Sequence, residues 1–119
     1  MASDYKSKVK ELDKLVREYC HKHYNRCYTC NSTQDLNVGH YHKRALLLTR
    51  WELDNVRLQC NWCNSKGGLD GNLVVYAFRL ASEIGDARMR ELNKLAELSK
   101  GITKLTDLDL ANYKRKIEV

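Results

Sequence analysis

Two cysteine pairs constrain the fold of this chain more than any other feature. Cys27 and Cys30 form one C-x2-C pair, Cys60 and Cys63 form a second, and 29 residues separate the pairs. One C-x2-C turn can present two thiolates to an ion at about 2.3 Å, and two such turns complete a tetrahedron. Four thiolates leave no coordination position open to water, so the pattern predicts a structural zinc site. The alternatives are a redox motif, which needs only one pair, and chance.

The remaining composition favours a cytoplasmic protein. Charged residues begin at Asp4, and no apolar run reaches the ~18 residues that a membrane-spanning helix needs. We therefore expect neither a secretory signal nor a membrane segment. Cysteines of cytoplasmic proteins are usually metal ligands or catalytic groups rather than disulfides. The fifth cysteine, Cys20, is predicted to be a buried thiol on the first helix.

The net charge is compatible with nucleic acid but is weak evidence for it. The formal value is +6 with neutral thiols, and a zinc ion held by four thiolates would reduce it to about +4. The basic residues are also spread along the chain rather than clustered. Many domains with this balance bind no nucleic acid.

Apolar periodicity predicts a mostly helical α+β fold in one domain over residues 1–119. Residues 3–24 form an N-terminal helix, and residues 72–119 form helices over 72–84, from 86 to about 99, and from Thr106 onward. Gly85 is placed to end the first of these three. Residues 25–72 are the cysteine-bearing core, with short strands predicted at 38–42 and 55–58 and a loop at 64–71.

The insert between the cysteine pairs contains two histidines. If residues 38–42 form a strand, His40 and His42 point to the same face and Tyr41 to the other. A neutral imidazole, with an ordinary pKa near ~6.5, can take a proton from an attacking water. Two surface histidines without a function are an equally good interpretation of these residues alone.

Polar and basic side chains near the second pair are further candidates. The amide oxygen of Asn64, directly after Cys63, can coordinate a hard cation such as Mg²⁺. Taken singly, Asn64 is more typical of a turn residue or a helix cap. Four basic residues could contact phosphates, although each is individually typical of a solvated surface; they are Arg44, Arg50, Arg57 and Lys66.

Together these residues resemble a known nuclease pattern. The order C-x2-C, Gly-His-Tyr, Asn-Val and Gln-Cys-x2-Cys-Asn resembles zinc-containing HNH nucleases, above all the phage NinG/Rap recombination nucleases. The cysteine layout is also similar to recombination endonuclease VII. The similar segments are Gly39-His40-Tyr41 with Arg44, Leu48-Thr49-Arg50-Trp51, Asp54-Asn55-Val56, Gln59-Cys60 to Cys63-Asn64, and Gly71-Asn72 before Tyr76 and Leu80.

The resemblance implies a ββα-metal (HNH) core held by the zinc site and a function for several residues. His40 matches the general base, and Asn55 matches the central Asn that orients the loop holding the base. Asn64 matches the last ligand of a catalytic Mg²⁺ or Mn²⁺, which would polarise the scissile phosphate. The implied substrate is branched or recombining phage DNA, in the cytoplasm of a bacterial host.

One departure from the HNH pattern concerns the catalytic ion. Many HNH enzymes have a metal-binding Asp immediately before the catalytic His, whereas this chain has Gly39, as NinG-like proteins do. The residue that would supply the second ligand of the catalytic ion is therefore not assigned. His42 is the candidate that shares a face with His40, and Asp54 and Asp70 are weaker ones.

Three functions remain open. The first is a metal-dependent DNA endonuclease, and the second is a non-catalytic zinc module that binds nucleic acid. The third is a protein-interaction domain in which zinc only stabilises the fold. The apolar stripe over residues 5–23 is compatible with a homodimer contact, although packing onto the chain's own core is the favoured use.

Overall fold

The computed structural model describes residues 2–118 and is mostly helical with one two-stranded sheet. The helices and strands are α1 (Ala2–His23), β1 (Leu36–His40), α2 (Leu47–Arg50), β2 (Val56–Cys60), α3 (Asn61–Asn64), α4 (Leu73–Ile84), α5 (Asp86–Leu98) and α6 (Asp107–Glu118), with a 3₁₀ turn at Leu53–Asn55. The α+β class expected from the sequence is confirmed.

Helix α1 buries its apolar stripe against the rest of the chain. Leu12, Val16 and Cys20 lie in the main core, together with residues of β2 and α6. Ion pairs such as Glu11 with Lys114 (2.8 Å) also join α1 to α6. The stripe is therefore used by the chain's own core, as favoured above. A homodimer stays a prediction, and it would have to use another surface.

The two strands form an antiparallel hairpin that is covered on both faces. Val38 pairs with Leu58 and His40 with Val56. Val56 and Leu58 face the main core beside α1, while on the other face Tyr76 of α4 donates a hydrogen bond to the Gly39 carbonyl (2.7 Å). All five residues of β2 are buried, so its polar residues need partners inside the protein.

The strand boundaries differ from those predicted. Strand β1 ends at His40 rather than at residue 42, because the Asn55 side chain binds the backbone of His42 and turns the chain out of the sheet. Strand β2 begins at Val56 rather than at residue 55, because the 3₁₀ turn includes Asn55, and it extends to Cys60. His40 and His42 therefore do not share a strand face.

The C-terminal helices begin and end near the predicted positions. Gly85 separates α4 from α5 with a left-handed backbone (φ 86°), which glycine adopts without strain. Thr106 and Asp109 form a reciprocal capping box at the start of α6. Tyr76, Leu80, Met89 and Leu92 form a second apolar cluster between α4 and α5. Val74 and Phe78 of α4 stay largely exposed.

Candidate active site and metal centre

The four cysteines of the two pairs converge on one point. All their Sγ atoms lie within 4.8 Å of one another, and Cys30 and Cys60 are 3.6 Å apart. Sulfurs at tetrahedral corners around zinc, each about 2.3 Å from the ion, lie about 3.8 Å from one another. The cysteines are therefore positioned to bind a metal ion, and the all-thiolate set is consistent with structural zinc. Cys20 is buried on α1, apart from the cluster, as expected.

Hydrogen bonds around the cluster favour the thiolate of Cys27 in particular. Burial raises the pKa of Cys63, and at Cys30 a backbone hydrogen bond is outweighed by burial and the other three thiols, so its pKa also rises. The Thr29 hydroxyl lies 3.4 Å from Cys27 Sγ, and the Asn72 amide donates to Cys63 Sγ (3.7 Å). Burial raises the pKa of Cys27, but hydrogen bonds from Thr29 and from the backbone outweigh it and lower the pKa to about 6. Donors of this kind stabilise the ligand form of a cysteine and orient it toward a metal.

Beside the cysteine cluster is an open cleft of about 950 Å³. One wall comes from α1, another from the end of β1 and the loop after it, and the third from residues 64–73. Four basic side chains line the cleft against two acidic ones; these six are Arg17, Lys43, Arg44, Lys66, Asp13 and Asp70. The excess of positive charge suits a phosphate-bearing ligand.

His40 lies in this cleft with a defined ring orientation. Its Nε2 is 3.1 Å from the backbone carbonyl oxygen of Arg50. A carbonyl oxygen only accepts, so Nε2 carries the proton of the neutral ring and Nδ1 keeps its lone pair. Burial lowers the pKa of His40 to about 4, against the opposing effect of the Arg50 carbonyl. The ring is neutral at physiological pH, and Nδ1 can accept a proton.

Asn55 is fully buried and holds the loop that follows His40. Its Oδ1 accepts from the His42 amide (2.8 Å), and its Nδ2 donates to the His42 carbonyl (3.0 Å). Its own carbonyl accepts from the Tyr41 amide (2.9 Å). One side chain thus replaces the strand pairing that ends at His40, and it fixes the path of the next two residues.

Asp13 of α1 joins two of the predicted phosphate-contacting residues. Its carboxylate accepts from Arg50 and from the indole of Trp51, and Arg44 donates to it at 3.2 Å. Burial raises the pKa of Asp13, but hydrogen bonds from Arg50 and Trp51 outweigh that effect and the pKa falls below its ordinary value. The group is a carboxylate at neutral pH.

The cleft contains three candidate ligands for a second metal ion. Asn64, Asp70 and His42 all line it. The His42 ring is bound through Nε2 to the side-chain oxygen of Asn93 (2.7 Å), which leaves Nδ1 for another partner. Asp54 is instead paired with Arg88 at 2.6 Å, away from the residues that line the cleft. Among residues 2–118, the four cysteines are the only group of three or more Cys, His, Asp or Glu ligands found close together.

Gly39 lies against a buried side chain of the neighbouring strand. A Cβ atom at this position would lie 2.0 Å from Oε1 of Gln59 on the neighbouring strand. Gln59 is fully buried, and its Nε2 donates to Thr29 and to the Gly71 carbonyl. Its Oε1 has no hydrogen-bond partner and faces the Cα hydrogens of Gly39, which are weak donors. Gln59 thus occupies the space where a side chain of residue 39 would begin.

The model of a family described as bacteriophage lambda NinG protein matches residues 2–118. The chain belongs to the NinG family. No curated protein and no solved structure matches it significantly. The NinG resemblance drawn from the motifs is therefore confirmed, and it extends over the described chain.

One predicted phosphate contact of this NinG chain does not fit its position. Arg57 is 3% exposed and donates to the carbonyls of Leu53 and Val56 and to Glu83. It lies on the face of the hairpin that packs against α4, outside the cleft. Arg57 binds groups inside the protein because its strand is covered on both faces. The sequence did not show that this strand would be covered on both faces. Lys66 and Arg44, in contrast, line the cleft.

The sequence interpretation missed the part of the NinG cleft that α1 supplies. Asp13, Arg17 and His21 recur every four residues on one face of that helix, and all three line the cleft. The spacing was visible in the sequence, but the lysine-rich surface of α1 is typical of a solvated helix. Separately, no helix within residues 2–118 is long and apolar enough to cross a membrane.

Proposed function

We propose that this NinG-family protein is a metal-dependent endonuclease of the HNH (ββα-metal) type that hydrolyses phosphodiester bonds in DNA. The observation that carries the proposal is His40, with Nε2 bound to a backbone carbonyl and Nδ1 left as a base inside a positively charged cleft. The hairpin followed by α3 and α4 supports a ββα core. The family supports a phage substrate, and we propose branched or recombining DNA in the bacterial host cytoplasm.

Different residues of the cleft would have different functions in hydrolysis. His40 Nδ1 would take the proton of the attacking water, a step for which the ring must be neutral and oriented. Asn55 keeps the loop after His40 in place through its two bonds to His42. Arg44 and Lys66 would contact backbone phosphates, which positions the scissile bond without reading its sequence.

A catalytic Mg²⁺ or Mn²⁺ fits the oxygen and nitrogen donors of the cleft. Mg²⁺ is usually held by one or two protein ligands and completed by waters and substrate phosphates. Asn64 and Asp70 supply oxygen donors, and His42 supplies an imidazole nitrogen. When bound, the ion would polarise the scissile phosphate and stabilise the leaving oxygen. Zinc in the cysteine cluster would be structural and take no part in the reaction.

The test is cleavage of labelled four-way junctions, flaps and linear duplexes with Mg²⁺ or Mn²⁺. We expect His40→Ala to lower the cleavage rate by about 10²–10⁴-fold, the usual contribution of a general base, while DNA binding is retained. His23→Ala is the matched control, because His23 is exposed on the last turn of α1 outside the cleft. Equal cleavage by His40→Ala and the parent protein would disprove the assigned mechanism.

A non-catalytic nucleic-acid-binding module is the second candidate. Gly39 favours it, because this position lacks the carboxylate ligand found in many HNH enzymes and the Gln59 side chain fills the space beside it. This function predicts DNA affinity that falls steeply with salt concentration and no cleavage with any divalent ion. Turnover of any DNA substrate that depends on the added ion and on His40 would rule it out.

A further inference from the structure

We propose that Asp13 is a positioning residue: from α1 it clamps the end of α2, so that the Arg50 carbonyl holds the His40 ring with Nδ1 free. The catalytic consequence rests on the function proposed above. The structural consequence, which is the protonation and orientation of the His40 ring, does not depend on that function.

The clamp consists of four short contacts to one carboxylate. Asp13 Oδ1 accepts from Arg50 Nε (3.2 Å) and Trp51 Nε1 (2.8 Å), and Oδ2 accepts from Arg50 Nη2 (2.7 Å) and Arg44 Nη2 (3.2 Å). The side chains of Asp13 and Arg50 are 24% and 13% exposed. A forked, charge-assisted pair at this burial is much more directional than a solvated ion pair.

Helix α2 needs such external contacts. It has only four residues, too few for a helix to be stable by itself. Asp13 binds the side chains of Arg50 and Trp51, and the Arg50 carbonyl that meets His40 Nε2 lies between these two residues along the chain. Contacts from Ser99 and Tyr113 reach α2 at Leu48, farther from that carbonyl. Trp51 is also packed in the main core, and Asp13 is the side chain that adds hydrogen bonds to both residues flanking that carbonyl.

The same carboxylate also restrains two guanidinium groups beside the cleft. Arg44 lines the cleft, and Arg50 is adjacent to it through His40. Asp13→Asn keeps the side-chain volume but replaces two of the acceptor positions with a donor amide. It should release both arginines toward phosphates while it loosens the carbonyl that orients His40. DNA binding and turnover are therefore expected to change in opposite directions.

The first experiment uses ¹⁵N NMR of the zinc-loaded protein without DNA to measure which nitrogen of the His40 ring is protonated and how fast its hydrogen exchanges. In the parent, we expect a protonated Nε2 whose hydrogen exchanges slowly with water, and an unprotonated Nδ1. In Asp13→Asn, exchange of that hydrogen should be about tenfold faster or more. Arg50→Lys keeps the charge but loses the fork, so it should give a smaller change in the same direction. Glu11→Gln, which breaks the α1–α6 pair instead, should give none.

The second experiment measures cleavage kinetics with the same variants. Asp13→Asn should lower kcat by about tenfold, with a KM that is unchanged or reduced, whereas Glu11→Gln should leave both constants as in the parent. If Asp13 only stabilised the fold, Asp13→Asn would lower the melting temperature without lowering kcat separately from KM. Unchanged exchange of the His40 hydrogen in both folded Asp13→Asn and Arg50→Lys overturns the inference. Absence of cleavage by the parent overturns the proposed function instead, and the NMR experiment still decides the function of Asp13.

Discussion

The cysteine cluster and the His40 cleft are neighbours, yet they are built in different ways. Each cysteine pair is local in sequence, and the four sulfurs meet through two short turns at the ends of the insert. The cleft instead draws on α1, the end of β1, α2 and residues 64–73. The cluster depends on ligand spacing, whereas the cleft depends on the packing of the whole chain. Breaking the cluster should therefore destroy the cleft, while changes in the cleft should leave the cluster intact.

Loss of the cluster should have the largest effect. We expect the purified chain to carry one zinc ion, measured by native mass spectrometry. Its removal by a chelator, or by Cys63→Ala, should cost most or all of the folding free energy, since zinc binding in small domains is worth on the order of 10 kcal/mol. Circular dichroism during thermal unfolding measures the loss.

Cys20→Ala is the control for that experiment. It removes a buried thiol apart from the cluster, should cost about 1–2 kcal/mol, and should keep the zinc. A chelated chain that unfolds like the zinc-loaded one would show that the cluster does not support the fold.

Protonation of His40 should have the next largest effect. Its pKa is about 4 in the folded chain and near ~6.5 when unfolded. The unfolded state therefore binds the proton more tightly, and stability falls as the pH drops from about 6.5 toward 4. The loss is on the order of 3 kcal/mol, and above pH about 6.5 the contribution is complete.

His40→Gln isolates this effect from other acid-sensitive groups, including the zinc thiolates. The unfolding free energy of the parent minus that of the variant, measured in urea from pH 4 to 8, should be constant above about pH 6.5 and should fall as the pH drops toward 4. If the unfolding free energies of the parent and His40→Gln changed with pH in parallel, the prediction would be wrong. An NMR titration of the His40 ring gives its pKa directly.

A side chain at position 39 should have the smallest of the three effects. Gly39→Ala should cost about 1–3 kcal/mol, because the new methyl group meets the Gln59 amide. Combining it with Gln59→Ala should cost less than the two single changes together, since the clash is then absent. Strict additivity in urea unfolding would show that Gln59 is not the obstacle.

The sequence predicted the cluster better than the cleft for a physical reason. Ligand spacing within a C-x2-C turn is local, and the periodicity of α1 follows from its own residues. The end of β1 was misplaced because a tertiary contact, the Asn55 side chain on the His42 backbone, ends the strand. The Asp13 clamp could not be predicted, because nothing local relates α1 to Arg50 until the chain has packed.

The close contact between Gly39 and Gln59 also couples substitutions at these two positions. An aspartate at position 39, as many HNH enzymes have before the catalytic histidine, is blocked while the Gln59 side chain lies across the strand. A shorter residue at position 59 would remove this obstacle, but it would give up the bonds to Thr29 and Gly71 near the cysteine cluster. A change at position 39 is therefore felt at position 59 and, through the bonds of Gln59, beside the cysteine cluster.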